Sequence, residues 1–258
     1  MNRMSVSLLH GFIQWYNKCK KSRSVMKIFA IQLQPLDDKN ARKQIEQLKP
    51  FVSLEKRAAA ERFRFLIDAR RTLLGEVLIR HIIHEMYALP MEQIIFETEG
   101  NGKPVVRQIP SFHFNLSHSG DWVVGAVDDA PVGIDIEEIK PIDLAIAKRF
   151  FSADEYQDLL SQPADQQEAY FFHLWSMKEA FIKLTGKGIS YGLSSFTARL
   201  SEDGQATLRL PDHEAPCVVQ TYSLDPAYQI AVCTRKPAAA EHVEILTCEN
   251  MLSRLNNV

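Results

Sequence analysis

The segment from Phe112 to Ile139 limits the fold more than any other part of the chain. Phe112, Phe114 and Leu116 alternate with His113, Asn115 and Ser117, the period-two pattern of a half-buried strand. Ser119-Gly120-Asp121 turns the chain and Trp122–Val127 returns as a second strand; Asp128–Pro131 turns it again and Val132–Ile139 reads as a third. This predicts a meander of short strands. Upstream, Lys27–Leu33 reads as a buried strand and Leu54–Tyr87 as helix in two pieces. Downstream, Ile142–Leu160 and Ala164–Thr185 read as helices, the second closed by Gly186. Ser195–Leu200, Ala206–Leu210, Cys217–Leu224 and Tyr228–Thr234 follow as strands. Helices followed by strand–turn–strand thus occur twice, as FNLSHSGDWVVGAV (114–127) and TYSLDPAYQIAVC (221–233). A duplicated α+β unit is expected, with a ligand site at the seam of its halves.

Composition narrows the function classes. The 258 residues are 46% hydrophobic and 24% charged with a net charge of -2, which speaks against a dedicated nucleic-acid binder. Cys19, Cys217, Cys233 and Cys248 lie too far apart for a zinc ribbon and are too few for a disulfide framework, which fits a reducing cytoplasm. No apolar run is long enough to span a bilayer. Residues 1–25 carry a moderately apolar stretch followed by Lys18, Lys20, Lys21 and Arg23, the wrong order for a signal peptide. A non-native or poorly ordered extension is expected there rather than an amphipathic anchor, with Met26 as a natural start.

The candidate chemistry begins with Asp135 and Glu137. At i and i+2 on a strand, both leave one face together with Gly133, while Val132, Ile134 and Ile136 point the other way. Two adjacent carboxylates repel unless a cation lies between them, and hard oxygen ligands of this kind suit Mg²⁺. Gly133 would leave room for a ligand. The plainer reading of the pair is the solvated face of an edge strand. Glu179, on a helix among Leu174, Trp175, Met177 and Phe181, reads either as a third metal carboxylate or as a surface ion-pair partner of Lys183. Ser117 and His118 end a strand without the setting of a serine hydrolase, leaving a strand-end polar pair or a phosphate contact. His81, His84 and Glu85 match no metalloprotease spacing. No glycine-rich phosphate loop occurs, so bound phosphates would need separate cations: Lys56, Arg71, Lys103, His118 and Lys183 are candidates.

Together, GKP (102–104), FNLSHSGDWVVGAV (114–127), VGIDIE (132–137), RFFSADEY (149–156) and LWSMKEAFIKLTGKG (174–188) resemble the Sfp-type 4'-phosphopantetheinyl transferases, which serve nonribosomal peptide and polyketide synthetases. RRTLLGEVLIR (70–80) is similar to their first-half helix, and the likeness runs in order from about Met26 to about residue 235. The resemblance implies an α+β fold of two similar halves, a pseudo-dimer in one chain, divided here at 26–131 and 132–235. Residues 236–258 would form a tail or an arm on the first half. It implies a monomer, and the composition points to the cytoplasm with no nucleic acid or membrane partner. Coenzyme A would bind at the seam as substrate, and Mg²⁺ would be the cofactor. The phosphopantetheine arm would pass to a serine of apo peptidyl carrier and acyl carrier proteins, releasing 3',5'-ADP.

Carried over position by position, Asp135, Glu137 and Glu179 match the magnesium carboxylates. Lys183 matches the lysine near the reacting phosphate, and Glu179 also stands as a candidate base. Lys103, Ser117 and His118 match residues holding the nucleotide phosphates; Lys56, Arg71 and Thr72 match further phosphate-side contacts. Ala59 departs from the pattern, since some members carry a lysine there. Glu155 matches a glutamate proposed to touch the reaction or the carrier. Phe150, Phe151 and Tyr156 are candidates for carrier docking, with a core role as the alternative for the two phenylalanines. Two other readings of the residues are a different magnesium enzyme, such as a phosphohydrolase, and a non-catalytic coenzyme A or carrier-binding module.

Overall fold

The computed structural model describes residues 26–258 except 101, 202–203, 238–239 and 256–258. The expectation for residues 1–25 falls outside the described residues. The chain opens with β1 (Lys27–Gln32), α1 (Asp38–Leu48), α2 (Leu54–Ala60) and α3 (Leu66–Tyr87). Next come β2 (Glu97–Thr98), β3 (Pro104–Val105), β4 (His113–Ser119), β5 (Trp122–Asp128) and β6 (Val132–Glu138). The second half continues with α4 (Ala145–Phe150), α5 (Ala153–Ser161), α6 (Gln167–Thr185), β7 (Thr197–Leu200), β8 (Ala206–Arg209), β9 (Val218–Tyr222) and β10 (Tyr228–Thr234). Last are β11 (Val243–Leu246) and α7 (Cys248–Leu255).

Local chemistry sets several boundaries. Asp37 caps α1 by accepting from the Asn40 amide at 2.8 Å, and Ser53 caps α2 through the Lys56 amide. The single helix expected over 142–160 is broken in two. Phe151 leaves helical geometry, and Ser152 starts α5 with a reciprocal capping box to Glu155. At the end of α6, Gly186 takes φ 68°, a left-handed cap that glycine adopts without strain.

The meander is corrected. β4 and β5 pair as expected, but β6 leaves them and pairs antiparallel with β10, Asp135 opposite Ala231. Two sheets result, in the orders β11-β1-β5-β4 and β6-β10-β9. The reason is apolar demand on both faces of each strand. In the first sheet Phe29, Ile31, Val123 and Val127 pack against α3, while Ile28, Ala30, Val124 and Ala126 face Val132, Ile134, Ile136 and Val232 of the second. The far side of the second sheet, with Ala231 and Cys233, packs on α6. The layers run helix, sheet, sheet, helix, and each sheet can be covered only if β6 crosses into the second.

The duplicated α+β architecture expected from the sequence is present in the topology. β1, α3, β4 and β5 give the order β1-β5-β4; β6, α6, β9 and β10 give β6-β10-β9. The C-terminal segment returns to the first half. β11 pairs in parallel with β1, Ile28 opposite Val243, and α7 buries Met251 in the core around α3.

Gly133 fixes how closely α6 can approach. A Cβ there would collide with the Ala180 carbonyl and the Leu184 amide of α6. The room that glycine makes is filled by a helix backbone, not by a ligand, which corrects the earlier expectation. This close approach sets Asp135 and Glu137, on the same strand face, against the helix that carries Glu179 and Lys183.

Candidate active site

The site forms where two edge strands meet. β4 is the outer strand of the first sheet and β6 the outer strand of the second. Ser117 of β4 donates to Asp135 Oδ1 at 2.8 Å, and the Lys183 ammonium reaches the same oxygen at 2.6 Å and Ser117 Oγ at 2.7 Å. Asp135 is 3% exposed, and its Oδ2 is buried without a hydrogen-bond partner. An orphaned buried carboxylate oxygen is costly, and a structure that keeps one has a reason at that place. Glu137 accepts from Ser119 Oγ at 3.2 Å.

Electrostatics tie both other carboxylates to Asp135. Burial pushes the Asp135 carboxyl up, against the pull of Lys183. Burial and then the Asp135 charge raise Glu137 to about 7. Burial and the Asp135 charge also raise Glu179. Each carboxylate is thus held in a place that disfavours its charge, and a cation between them would relieve all three. Among the described residues no group of three His, Cys, Asp or Glu side chains is placed to hold a metal ion by itself. Mg²⁺ does not need one: it favours one or two carboxylates completed by substrate phosphate and water. The donor set and the unpartnered Oδ2 fit that ion.

Cationic groups border the carboxylates. Arg71 of α3 donates to the Gly120 carbonyl from Nε at 2.9 Å and pairs with Asp68. Gly120, at φ 49°, admits the Tyr228 hydroxyl where a side chain would stand, so the turn that receives Arg71 requires glycine. His118 lies at the exposed rim beside it. Partial loss of hydration, followed by the Arg71 and Lys183 charges, holds its imidazole below the ordinary range. Lys103 donates to the Val132 and Lys183 carbonyls at 3.2 and 3.1 Å, where β6 begins and α6 ends, and burial lowers its pKa. Thr72 is half-buried, next to Arg71. Lys56 is exposed on α2, and among the described residues no hydrogen bond or ion pair joins its ammonium to this group.

Glu155 lies elsewhere. It is wholly buried, ion-paired to Lys178 at 2.6 Å, and it accepts from the Ala198 amide at 2.6 Å and the Ser152 amide at 2.6 Å. Lys178 is about 200° round α6 from Ala180, which packs on Gly133, so this pair occupies the far side of the helix from Asp135. A role in contact with the reacting atoms does not fit that position; Glu155 holds α5, α6 and β7 together. Phe151 is likewise core, stacked on Phe171 at 5.0 Å, whereas Phe150 and Tyr156 are half-buried. Two surface clefts, of about 460 and 520 Å³, lie away from the carboxylates: one beside Phe51, Arg57 and His84, the other beside Asp154, Phe196 and Arg209. Cleft size therefore does not mark this site; the buried orphan oxygen and the converging charges do.

Sequence reasoning missed Asn115 and Ser119. Asn115 Oδ1 accepts from the Ile134 amide at 2.9 Å, and Ser119 contacts both Glu137 and the Glu138 amide. The signal was available: both share the strand face of Ser117 by period-two alternation.

Comparison with known proteins decides the family. Residues 131–233 match the model of the 4'-phosphopantetheinyl transferase superfamily, and residues 39–130 match that of the 4'-phosphopantetheinyl transferase N-terminal region. The chain is 98% identical over 233 residues to the 4'-phosphopantetheinyl transferase psf-1 of Bacillus pumilus, covering 90% of this chain and 100% of that protein. The chain belongs to the Sfp-type 4'-phosphopantetheinyl transferases. It is 48% identical over 227 residues to the 4'-phosphopantetheinyl transferase Sfp of Bacillus subtilis strain 168, covering 88% of this chain and 100% of that one. A holo-(acyl-carrier-protein) synthase from Bacillus anthracis, solved in complex with CoA (3',5'-ADP), shares 18% identity at a TM-score of 0.36 and covers 40% of this chain and 93% of that one. This transferase is an enzyme that transfers 4'-phosphopantetheine to carrier proteins. That sets aside the phosphohydrolase and the non-catalytic binding module. No helix among the described residues is long and apolar enough to cross a membrane.

Proposed function

We propose that coenzyme A is the donor, bound at the seam between the halves, and that Asp135, Glu137 and Glu179 would hold Mg²⁺ there. The acceptor is a serine hydroxyl of an apo peptidyl or acyl carrier protein of nonribosomal peptide or polyketide synthetases; the products are holo carrier protein and 3',5'-ADP. The observation that carries this reading is the buried, unpartnered Oδ2 of Asp135 among three carboxylates whose charge is disfavoured. When bound, the metal supplies charge neutralisation at the phosphate oxygens.

The chain's own groups supply the rest. Lys183 is close enough to Asp135 to exchange that partner for a phosphate oxygen, and its charge then stabilises the transition state as the bond to 3',5'-ADP breaks. Arg71, Thr72 and His118 flank the seam where the nucleotide phosphates would lie, with Lys103 and Ser117 alongside; Lys56, exposed on α2, would add a further phosphate-side contact. Glu179 takes the proton from the serine hydroxyl as its oxygen attacks phosphorus. The carrier docks near Phe150 and Tyr156, beside the exposed Ile146, and the enzyme works as a cytoplasmic monomer.

The test is Asp135→Ala. Transfer should fall to background while the circular dichroism spectrum is retained; turnover near that of the parent enzyme would remove the metal assignment.

A further inference from the structure

β4 and β6 face each other as sheet edges, and an edge carries backbone groups that need partners. Side chains of β4 reach across to meet those of β6. Asn115 Oδ1 accepts from the Ile134 amide at 2.9 Å. Ser117 Oγ donates to Asp135 Oδ1 at 2.8 Å. Ser119 Oγ accepts from the Glu138 amide at 3.1 Å and donates to Glu137 Oε2 at 3.2 Å. Residues 115, 117 and 119 leave one face of β4 at two-residue intervals, so the rungs stay in step with β6 across 134–138.

The last rung differs from the others in what it constrains. A serine hydroxyl has one proton to donate, and Ser119 gives it to Glu137 while taking the amide of the next residue. The carboxylate is thereby tied to its own backbone through a single oxygen atom. Untied, Glu137 would be driven from Asp135 by like charge and drawn towards water. We propose that Ser119 is a positioning residue that holds Glu137 beside Asp135 and ties the register of the two halves to the geometry of the cation site. This rests on the reading of Glu137 as a metal carboxylate.

The role can be separated from a structural one by isosteres. Thr at 119 keeps the hydroxyl, and Val has nearly the same shape without it. Mn²⁺ binding to the full-length, metal-free enzyme is measured by electron paramagnetic resonance for Ser119→Ala, Ser119→Val, Ser119→Thr and Glu137→Ala. The Mn²⁺ Kd should rise about tenfold in the Ala and Val variants, the scale of losing a group that orients a metal ligand. The Thr variant should bind as the parent does. Glu137→Ala should weaken binding at least as much as Ser119→Val. If Glu137→Ala weakens Mn²⁺ binding but Ser119→Val does not, the positioning role is overturned and the metal reading stands. If Glu137→Ala leaves Mn²⁺ binding unchanged, both fall.

Discussion

Single residues in this transferase divide into those whose charge is satisfied by the chain and those left for a ligand. Glu155 and Lys178 belong to the first group, each wholly buried and paired at 2.6 Å. Glu155→Gln keeps the shape but leaves a buried ammonium short of its counter-charge. Urea denaturation should show a loss of about 3–5 kcal/mol, and replacing both partners by Met should recover much of it. Unchanged stability with lost turnover would return Glu155 to the reaction. The site carboxylates belong to the second group. Glu137 has its folded pKa raised from 4.5 to about 7, chiefly by burial. A group shifted upward adds stability while protonated and loses it as pH rises through its folded pKa. Metal-free enzyme should therefore melt at a higher temperature near pH 5 than near pH 8, and Mg²⁺ should raise the melting temperature more at the higher pH. Equal Mg²⁺ shifts at both would contradict the placement of the ion on these groups. The acidic pair was legible in the sequence because period-two alternation fixes a strand face, and Lys183 because it stands one helical turn after Glu179. Which carboxylate oxygen lacks a partner was not, since that depends on Ser117 and Lys183 arriving from elements 18 and 48 residues away in sequence.

At the scale of elements, the approach of α6 to β6 depends on Gly133. Gly133→Ala puts a methyl into the helix backbone and should cost about 1–3 kcal/mol in urea denaturation, with loss of transfer as Glu179 and Lys183 shift from Asp135. An Ala variant of parental stability would mean that the helix yields freely. Helix positions were largely readable for α3 and α6, because long apolar runs are strong signals, and α6 also carries a terminal glycine. The break at Phe151–Ser152 was harder to see: α4 and α5 share one amphipathic pattern, and only the capping box of Ser152 with Glu155 separates them. The partner of β6 was not legible at all. Local alternation reads the face a strand shows, but pairing is settled by which surface covers Val132, Ile134 and Ile136, and that surface comes from β1 and β5.

For the whole molecule, two similar halves stand sheet to sheet, and the C-terminal arm returns to the first of them. Met251 is 1% exposed in the core around α3. Met251→Ala should destabilise the fold by about 2–5 kcal/mol while leaving the KM for coenzyme A unchanged, because the arm lies behind the first sheet rather than at the seam. The duplication was visible as an echo of two strand–turn–strand segments with little residue identity; the matching strand orders give it physical content. Only the seam brings the β4 hydroxyls of one half to the carboxylates of the other, so the site is incomplete in either half alone. Transfer is predicted to need both this site and a divalent cation. The most direct test is the intact mass of an apo peptidyl carrier domain after incubation with the enzyme, coenzyme A and Mg²⁺. A mass gain of one phosphopantetheine arm, abolished by EDTA and by Asp135→Ala, is the predicted result; the same gain in EDTA, or with the Ala variant, would contradict it.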